Sequence, residues 1–361
     1  MARIELDRVA HSYMDTPRGE ADWALRRLEH VWEDGGAYAL LGPSGCGKTT
    51  LLNVISGLLQ PTEGRILYDG QDVTALAPQQ RNIAQVFQFP VIYDTMTVAE
   101  NLAFPLRNRK FDRDYVARRV REVAEMLDLA GDLDRRAERL GADAKQKISL
   151  GRGLVRPNVA AILFDEPLTV IDPQLKWHLR RKLKQIHEAS NITLVYVTHD
   201  QNEALTFAEK VVVMYEGQVV QIGTPQELFE APGHTFVGYF IGSPGMNLLP
   251  CTLDGGEAVV EGGGRIALPE DVVARAAGTN AALELGIRPE FLRFDPRGRE
   301  GLPVLVQAVE DLGNYKILSL RLGERTMKAK VAEDSEPPGE AGSLVFPAEW
   351  TKLYAGGHLV G

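Results

Sequence analysis

Cysteine is nearly absent. The chain has two, Cys46 and Cys251, too few for a metal site of their own and set in unrelated sequence contexts, so a reducing compartment is the simple reading. Long apolar runs are missing too. No stretch approaches the roughly 18 residues of a spanning helix, and the opening MARIELDRVAHSY interrupts its apolar residues too often with polar ones to hold the core of a secretory signal. Basic charge is not in excess: 40 Lys and Arg face 49 Asp and Glu, a formal net charge of −9, the wrong sign for a protein that must displace counterions from nucleic acid. The rest is average. With 44% hydrophobic and 25% charged residues over 361 positions, the composition is that of globular protein, in a length that favours two or three domains.

Three short apolar runs, AYALL at 37–41, AAILF at 160–164 and TLVYVT at 193–198, read as buried parallel strands. They alternate with helix-spaced segments over about 3–235, the pattern of an α/β layer fold. Helical patterning takes over between about 89 and 155, where Val116, Val120, Val123 and Leu127 share one helix face as an ordinary core stripe. The Gly/Pro-rich passage IGSPGMNLLP then marks a boundary. Beyond it VLVQAVE, KILSLRL and MKAKVA alternate apolar and polar residues between Gly-containing turns, as in a small all-β barrel. The expected division is therefore 1–240, with a helical subdomain at about 89–155, and 241–361.

Gly42-Pro43-Ser44-Gly45-Cys46-Gly47-Lys48-Thr49 fits G-x-x-x-x-G-K-[ST], with a strand before it and the helix pattern TTLLNVISGL, which includes Thr50, after it. Glycines let successive amides converge on phosphate oxygens, and the helix N-terminus adds its positive end. Lys48 would reach the outer phosphates, and Thr49 would offer a hydroxyl to Mg²⁺. Asp165-Glu166 ends the second apolar run. Beside such a loop, Asp165 is the metal-side carboxylate and Glu166 the candidate general base. His199 follows the third run, and Gln88, in QVFQFP, stands where the helical segment begins; neither is decisive alone.

In this order and spacing, GPSGCGKTT, VFQ, LFDEP and VTHD resemble the ATPase subunits of ABC transporters, over most of 1–242. The resemblance implies a P-loop NTPase core that binds ATP with Mg²⁺, Gln88 as the sensor of the γ-phosphate and metal, and His199 as the switch histidine. Tyr13 matches an aromatic that stacks on adenine, a use of its π-face, and Asp172 the aspartate of a dimer contact. Leu140-Gly141-Ala142-Asp143-Ala144 stands where the family has its LSGGQ signature, which caps the γ-phosphate held by a second ATPase domain. With glycine for the serine and Asp143 for the second glycine, anion binding is weakened. A carboxylate there repels a phosphate charge by up to about 4 kcal/mol at 4 Å and an effective dielectric of 20, and as a cap Asp143 would take the very amides a phosphate needs. With the loop, Asp165, Glu166 and His199 intact, the expectation is a heterodimer, in which a different ATPase chain supplies a regular signature to this chain's site; a symmetric homodimer is the alternative. Thr169-Val170-Ile171 also departs from the family's SNL or SAL before Asp172, with no consequence legible from sequence.

MNLLP, LGIRPEFLRF and VEDLGNYKILSLRLGERTMKAKV resemble the OB-like accessory domain of sugar and glycerol-phosphate importer ATPases. Its 17 acidic against 12 basic residues from 245 to 361 disfavour nucleic acid. Such ATPases do not touch the cargo. FQFPVIYDTMTVAENLAFPLRNR and FDEPLTVIDPQLKW are similar to ATPases of bacterial glycerol-uptake systems, which favours a small polyol, glycerol foremost, over a sugar or glycerol 3-phosphate. The partners implied are the second ATPase, two transmembrane permeases and a periplasmic or lipid-anchored solute-binding protein, with this chain cytoplasmic and peripheral on the inner face of the plasma membrane. A non-transport ABC ATPase and a nucleotide-dependent regulatory protein are the readings from other classes.

Overall fold

Every residue of AYALL is buried, as a strand covered on both faces requires. The computed structural model, which describes residues 2–190, 192–260, 264–335 and 339–360, divides into two compact units, Met1–Pro225 and Gln226–Gly361.

The first unit begins with β1 (Ile4–Ser12), β2 (Trp23–Trp32), β3 (Ala37–Leu41) and helix α1 (Lys48–Ser56). Then come β4 (Glu63–Tyr68), β5 (Gln71–Asp72), the short α2 (Pro78–Arg81) and β6 (Ala84–Val86). Three helices follow, α3 (Val98–Asn108), α4 (Arg113–Met126) and α5 (Ala142–Leu154). The unit closes with β7 (Ile162–Asp165), α6 (Pro173–Ser190), β8 (Leu194–Thr198), α7 (Gln201–Phe207), β9 (Lys210–Tyr215) and β10 (Gln218–Gly223). AAILF thus becomes a strand that starts two residues later and ends one later, at Asp165.

An antiparallel sheet runs β2-β1-β4-β5, and a six-stranded sheet runs β10-β9-β3-β8-β7-β6, parallel except for the hairpin of β9 and β10. One buried cluster joins them through α1: Leu51, Leu52 and Ile55 pack with Ile4, Leu25 and Ile66 from one sheet and Leu40, Val195 and Val212 from the other. The consequence is positional. The N-terminus of α1 and the C-terminal ends of β3, β7 and β8 come to one edge of the parallel sheet, where ligands of open α/β sheets bind.

Helix α3 starts on a capping box. Thr97 Oγ1 accepts from Glu100 N at 3.1 Å and Glu100 Oε2 from Thr97 N at 2.8 Å. The stripe foreseen on α4 is buried, Val123 and Leu127 completely.

The second unit holds two antiparallel sheets. In spatial order one comprises Arg265–Ala267, Glu257–Val260, Asn247–Asp254, Leu283–Ile287, Lys352–Ala355 and His358–Leu359. The other comprises Arg293–Asp295, Ala341–Val345, Leu302–Asp311, Tyr315–Leu322 and Arg325–Ala332. Their inward residues, among them Leu249, Leu285, Leu318, Leu320 and Leu344, form a single core. The helix Thr235–Phe240 belongs to this unit: the buried guanidinium of Arg288 donates to the carbonyls of Leu228 and Gly238, both at 3.2 Å, and to those of Phe229 and Ile241.

Candidate active site

Between the end of β3 and the start of α1 the chain must reverse with its amides turned inward. Glycine permits this. Gly47 has φ 101°, and a Cβ there would lie 2.5 Å from Ala24 O; at Gly42 it would lie 2.3 Å from Met214 O. Gly45 takes φ 82°, again in the left-handed region that favours glycine. Lys48 is buried at the centre of the turn, where its Nζ donates to Gly42 O at 2.7 Å and Pro43 O at 2.9 Å. An ammonium has three donors; two go to these carbonyls and the third meets only a weak sulfur acceptor, which an anion can replace. Cys46 Sγ lies 3.8 Å from the same Nζ, and burial pushes its thiol above the ordinary value although Lys48 acts against that shift.

Thr49 Oγ1 donates to Asp165 Oδ1 at 3.2 Å, so the hydroxyl and carboxylate proposed for the metal stand together. Asp165 is only 9% exposed, and that burial raises its carboxyl above 3.8, with Glu166 adding to the rise and Thr49 and Lys48 opposing it. These are hard oxygen donors of the kind Mg²⁺ takes, and too few to hold it alone; phosphate oxygens and water complete such sites. Among the described residues no group of three or more His, Cys, Asp or Glu side chains forms a metal cage.

Glu166 follows with φ 46°, a left-handed conformation costing a non-glycine residue on the order of 1–3 kcal/mol. The turn re-aims its carboxylate. Oε2 accepts from Gln88 Nε2 at 3.2 Å and from Thr169 Oγ1 at 3.3 Å, while Oε1 lies 3.2 Å from His199 Nδ1. Its amide is tied to Val197 O in β8 at 3.0 Å. Gln88, Glu166 and His199 therefore meet on one carboxylate. Thr169, noted in the sequence only for its departure from the family pattern, is the third contact.

Tyr13 stands beside the head of α1. Its ring is 67% exposed, its hydroxyl is 3.1 Å from Thr50 Oγ1, and His11 meets the ring edge-on at 4.8 Å. Asp172 Oδ1 accepts from Gln174 N at 2.9 Å, and its carbonyl accepts from Leu175 and Lys176, so it heads α6. Leu140 to Ala144 lie outside this cluster, at the start of α5. The structure corrects the expected capping by Asp143: the N-cap is Gly141, with no side-chain cap hydrogen bond. Asp143 sits inside the first turn, so it places negative charge near the helix amides without occupying them.

A family model described as ABC transporter matches residues 25–169, and one described as MalK OB fold domain matches 242–292. The sn-glycerol-3-phosphate import ATP-binding protein UgpC of Ruegeria pomeroyi is 40% identical over 319 residues, 88% of this chain and 86% of the relative. The UgpC of Jannaschia sp. is 39% identical over 346 residues, 95% and 94% of the two chains. The chain belongs to the ABC transporter family. It is an import ATP-binding chain, in which ATP hydrolysis is coupled to transport. Two solved structures match its ATPase fold: cbiO1 of Clostridium perfringens, part of the cbiONQ complex, with TM-score 0.57 and 25% identity over 63% of this chain and 90% of that one, and the ADP- and Pi-bound dimer of the cassette MJ0796, with TM-score 0.55 and 27% identity over 62% and 98%. No helix among the described residues is long and apolar enough to cross a membrane.

Proposed function

We propose that this ATPase powers uptake of a small polyol, glycerol foremost, as one half of an asymmetric ATPase pair. The observation behind the reading is an internal contrast. One chain carries a complete hydrolytic cluster, with Thr49 on Asp165 at 3.2 Å and Gln88, His199 and Thr169 on Glu166 within 3.3 Å, beside a signature helix with Asp143 in its first turn. A cluster kept whole makes sense where another chain completes it.

In this reading the loop amides and Lys48 hold the phosphates, and Tyr13 stacks on the adenine. Thr49 and Asp165, with Gln88 nearby, would hold Mg²⁺, which when bound would neutralise phosphate charge. Glu166 orients the attacking water and takes its proton, while His199 faces the γ-phosphate. Asp172 contacts the partner ATPase. The C-terminal unit supports pairing of the two ATPase chains. Two permeases carry the solute, a solute-binding protein delivers it, and the ATPases sit peripherally on the cytoplasmic face of the bacterial plasma membrane.

A second reading is a homodimer importing glycerol 3-phosphate; its solute is the one in the names of the relatives at 39–41% identity. Reconstituted with permeases and the companion ATPase, Glu166→Gln should cut turnover by about 10²-fold or more, whereas Gly141→Ser with Asp143→Gly should alter it far less. The reverse ranking, or a complex holding two copies of this chain by native mass spectrometry, excludes asymmetry. Uptake of labelled glycerol against labelled glycerol 3-phosphate in the same vesicles decides the solute.

A further inference from the structure

Beneath the histidine turn lies a carboxylate with no part in the cluster above. Glu203, on α7, is 5% exposed. Its Oε2 accepts from Thr198 Oγ1 at 2.9 Å and Tyr196 Oη at 3.0 Å, and Lys176 Nζ lies 3.7 Å from Oε1. A buried carboxylate is costly unless its oxygens are satisfied, and here two hydroxyls and a cation meet it.

What they hold in place is the turn that carries His199. The Thr198 hydroxyl donates to Glu203, so its one proton is spent there. Its lone pairs are then free for the Asp200 amide, which donates to Thr198 Oγ1 at 3.0 Å. Asp200 Oδ1 in turn accepts from Asn202 N at 2.8 Å and Glu203 N at 3.4 Å, closing the loop onto α7. Both neighbours of His199 are thereby fixed through one carboxylate. Burial and the Glu203 charge both raise the Tyr196 phenol well above its ordinary value, so it remains a donor.

Lys176 extends the linkage. Its amide donates to Asp172 O at 2.9 Å, one turn into α6, so Glu203 joins the start of that helix to the histidine turn.

We propose that Glu203 is a positioning residue for hydrolysis, setting the His199 turn against Glu166 and tying it to the Asp172 segment. This rests on His199 acting at the γ-phosphate, as in the reading above. The experiment is a double-mutant cycle in the reconstituted transporter, measuring kcat and KM for ATP. Glu203→Ala should lower kcat about tenfold with KM within about twofold, and in the His199→Ala background should lower it by less than about twofold. Glu203→Gln, which keeps the shape and can still accept from Thr198, should recover most of the loss. Thr198→Val, should Glu203→Ala not fold, ought to give the same loss of kcat and the same masking by His199→Ala. Full turnover in His199→Ala would overturn the role given to the histidine itself. An undiminished second loss in that background, or a KM rising as kcat falls, would leave the histidine its role and overturn that of Glu203.

Discussion

Arg81 offers the sharpest test of how the phosphate-loop helix is held. It is 2% exposed, and its hydrogen bonds gather backbone carbonyls. Nη1 donates to Val54 O and Ile55 O at 2.8 Å, Nη2 to Thr74 O at 2.7 Å and Nε to Leu76 O at 3.0 Å. A cation thus closes the C-terminal end of α1, where the last carbonyls lack helical partners. Not all would be stranded by Arg81→Met. Ile55 O keeps Tyr68 Oη at 2.7 Å and Val54 O keeps Gly57 N at 3.3 Å, but Thr74 O and Leu76 O have no other donor among the described residues. Two unsatisfied carbonyls at about 1–3 kcal/mol each, less the relief of no longer burying a guanidinium, give a net loss of roughly 2–4 kcal/mol. Arg81→Lys should lose nearly as much, because a point charge cannot span the same fork. Urea unfolding followed by tryptophan fluorescence suits the measurement, since buried Trp32 shares the core cluster with Val54 and Ile55. Arg81→Met within about 0.5 kcal/mol of the parent at unchanged slope would refute the reasoning.

Other outcomes follow from the same site. The raised Asp165 carboxyl means that the folded chain binds this proton more readily than the unfolded chain; its ionisation therefore costs stability above the raised value, and the cost fades as pH falls toward the ordinary 3.8. Asp165→Asn should accordingly raise the melting midpoint of the nucleotide-free chain at pH 7, lose that advantage near pH 4, and abolish Mg²⁺-dependent turnover; an unchanged midpoint at pH 7 would count against the burial argument. Gly47→Ala forces a Cβ to 2.5 Å from Ala24 O at φ 101°, and should cost at least about 2 kcal/mol while removing ATP binding, read by calorimetric melting and titration with a fluorescent ATP analogue. Cys46, 3% exposed with its thiol pushed up by burial, should alkylate slowly at neutral pH, faster as pH rises, and more slowly with ATP present; complete labelling without loss of ATPase activity would mean the loop is misplaced.

What was legible in the sequence was contiguous or lay at a strand end. The loop from Gly42 to Thr49 carries its own chemistry at fixed spacing, and Asp165, Glu166 and His199 each close an apolar run, so parallel pairing brings them to one edge. Gln88, 78 residues from Glu166, was reached through family resemblance. Buried charges satisfied by backbone or hydroxyls stayed hidden. Arg81, Glu203 and Arg288 sit among residues with no pattern that announces a carbonyl cage or a threonine relay. Arg288 also explains the division between units: by gathering carbonyls from Leu228 to Ile241 it binds the stretch before IGSPGMNLLP to the second unit. A Gly/Pro-rich passage marks where a chain turns, and only the packing decides which core owns the residues before it.

Gln146 carries the contrast between cluster and signature one step further. It is fully buried on α5, and its Nε2 donates to Pro167 O at 2.7 Å and to Phe87 O at 3.4 Å. Pro167 follows Glu166, and Phe87 precedes Gln88. The helix capped by Gly141 is thus fastened to the backbone beside Glu166 and beside Gln88, one of the residues that contact its carboxylate. Whatever moves the N-terminus of α5 must either stretch a buried amide–carbonyl bond, costing about 1–3 kcal/mol when left unmade, or carry the Gln88 and Glu166 segments with it. On the proposed reading a weakened signature need not be a silent one: even where Asp143 reduces its grip on phosphate, the position of its helix is still felt beside the Glu166 carboxylate.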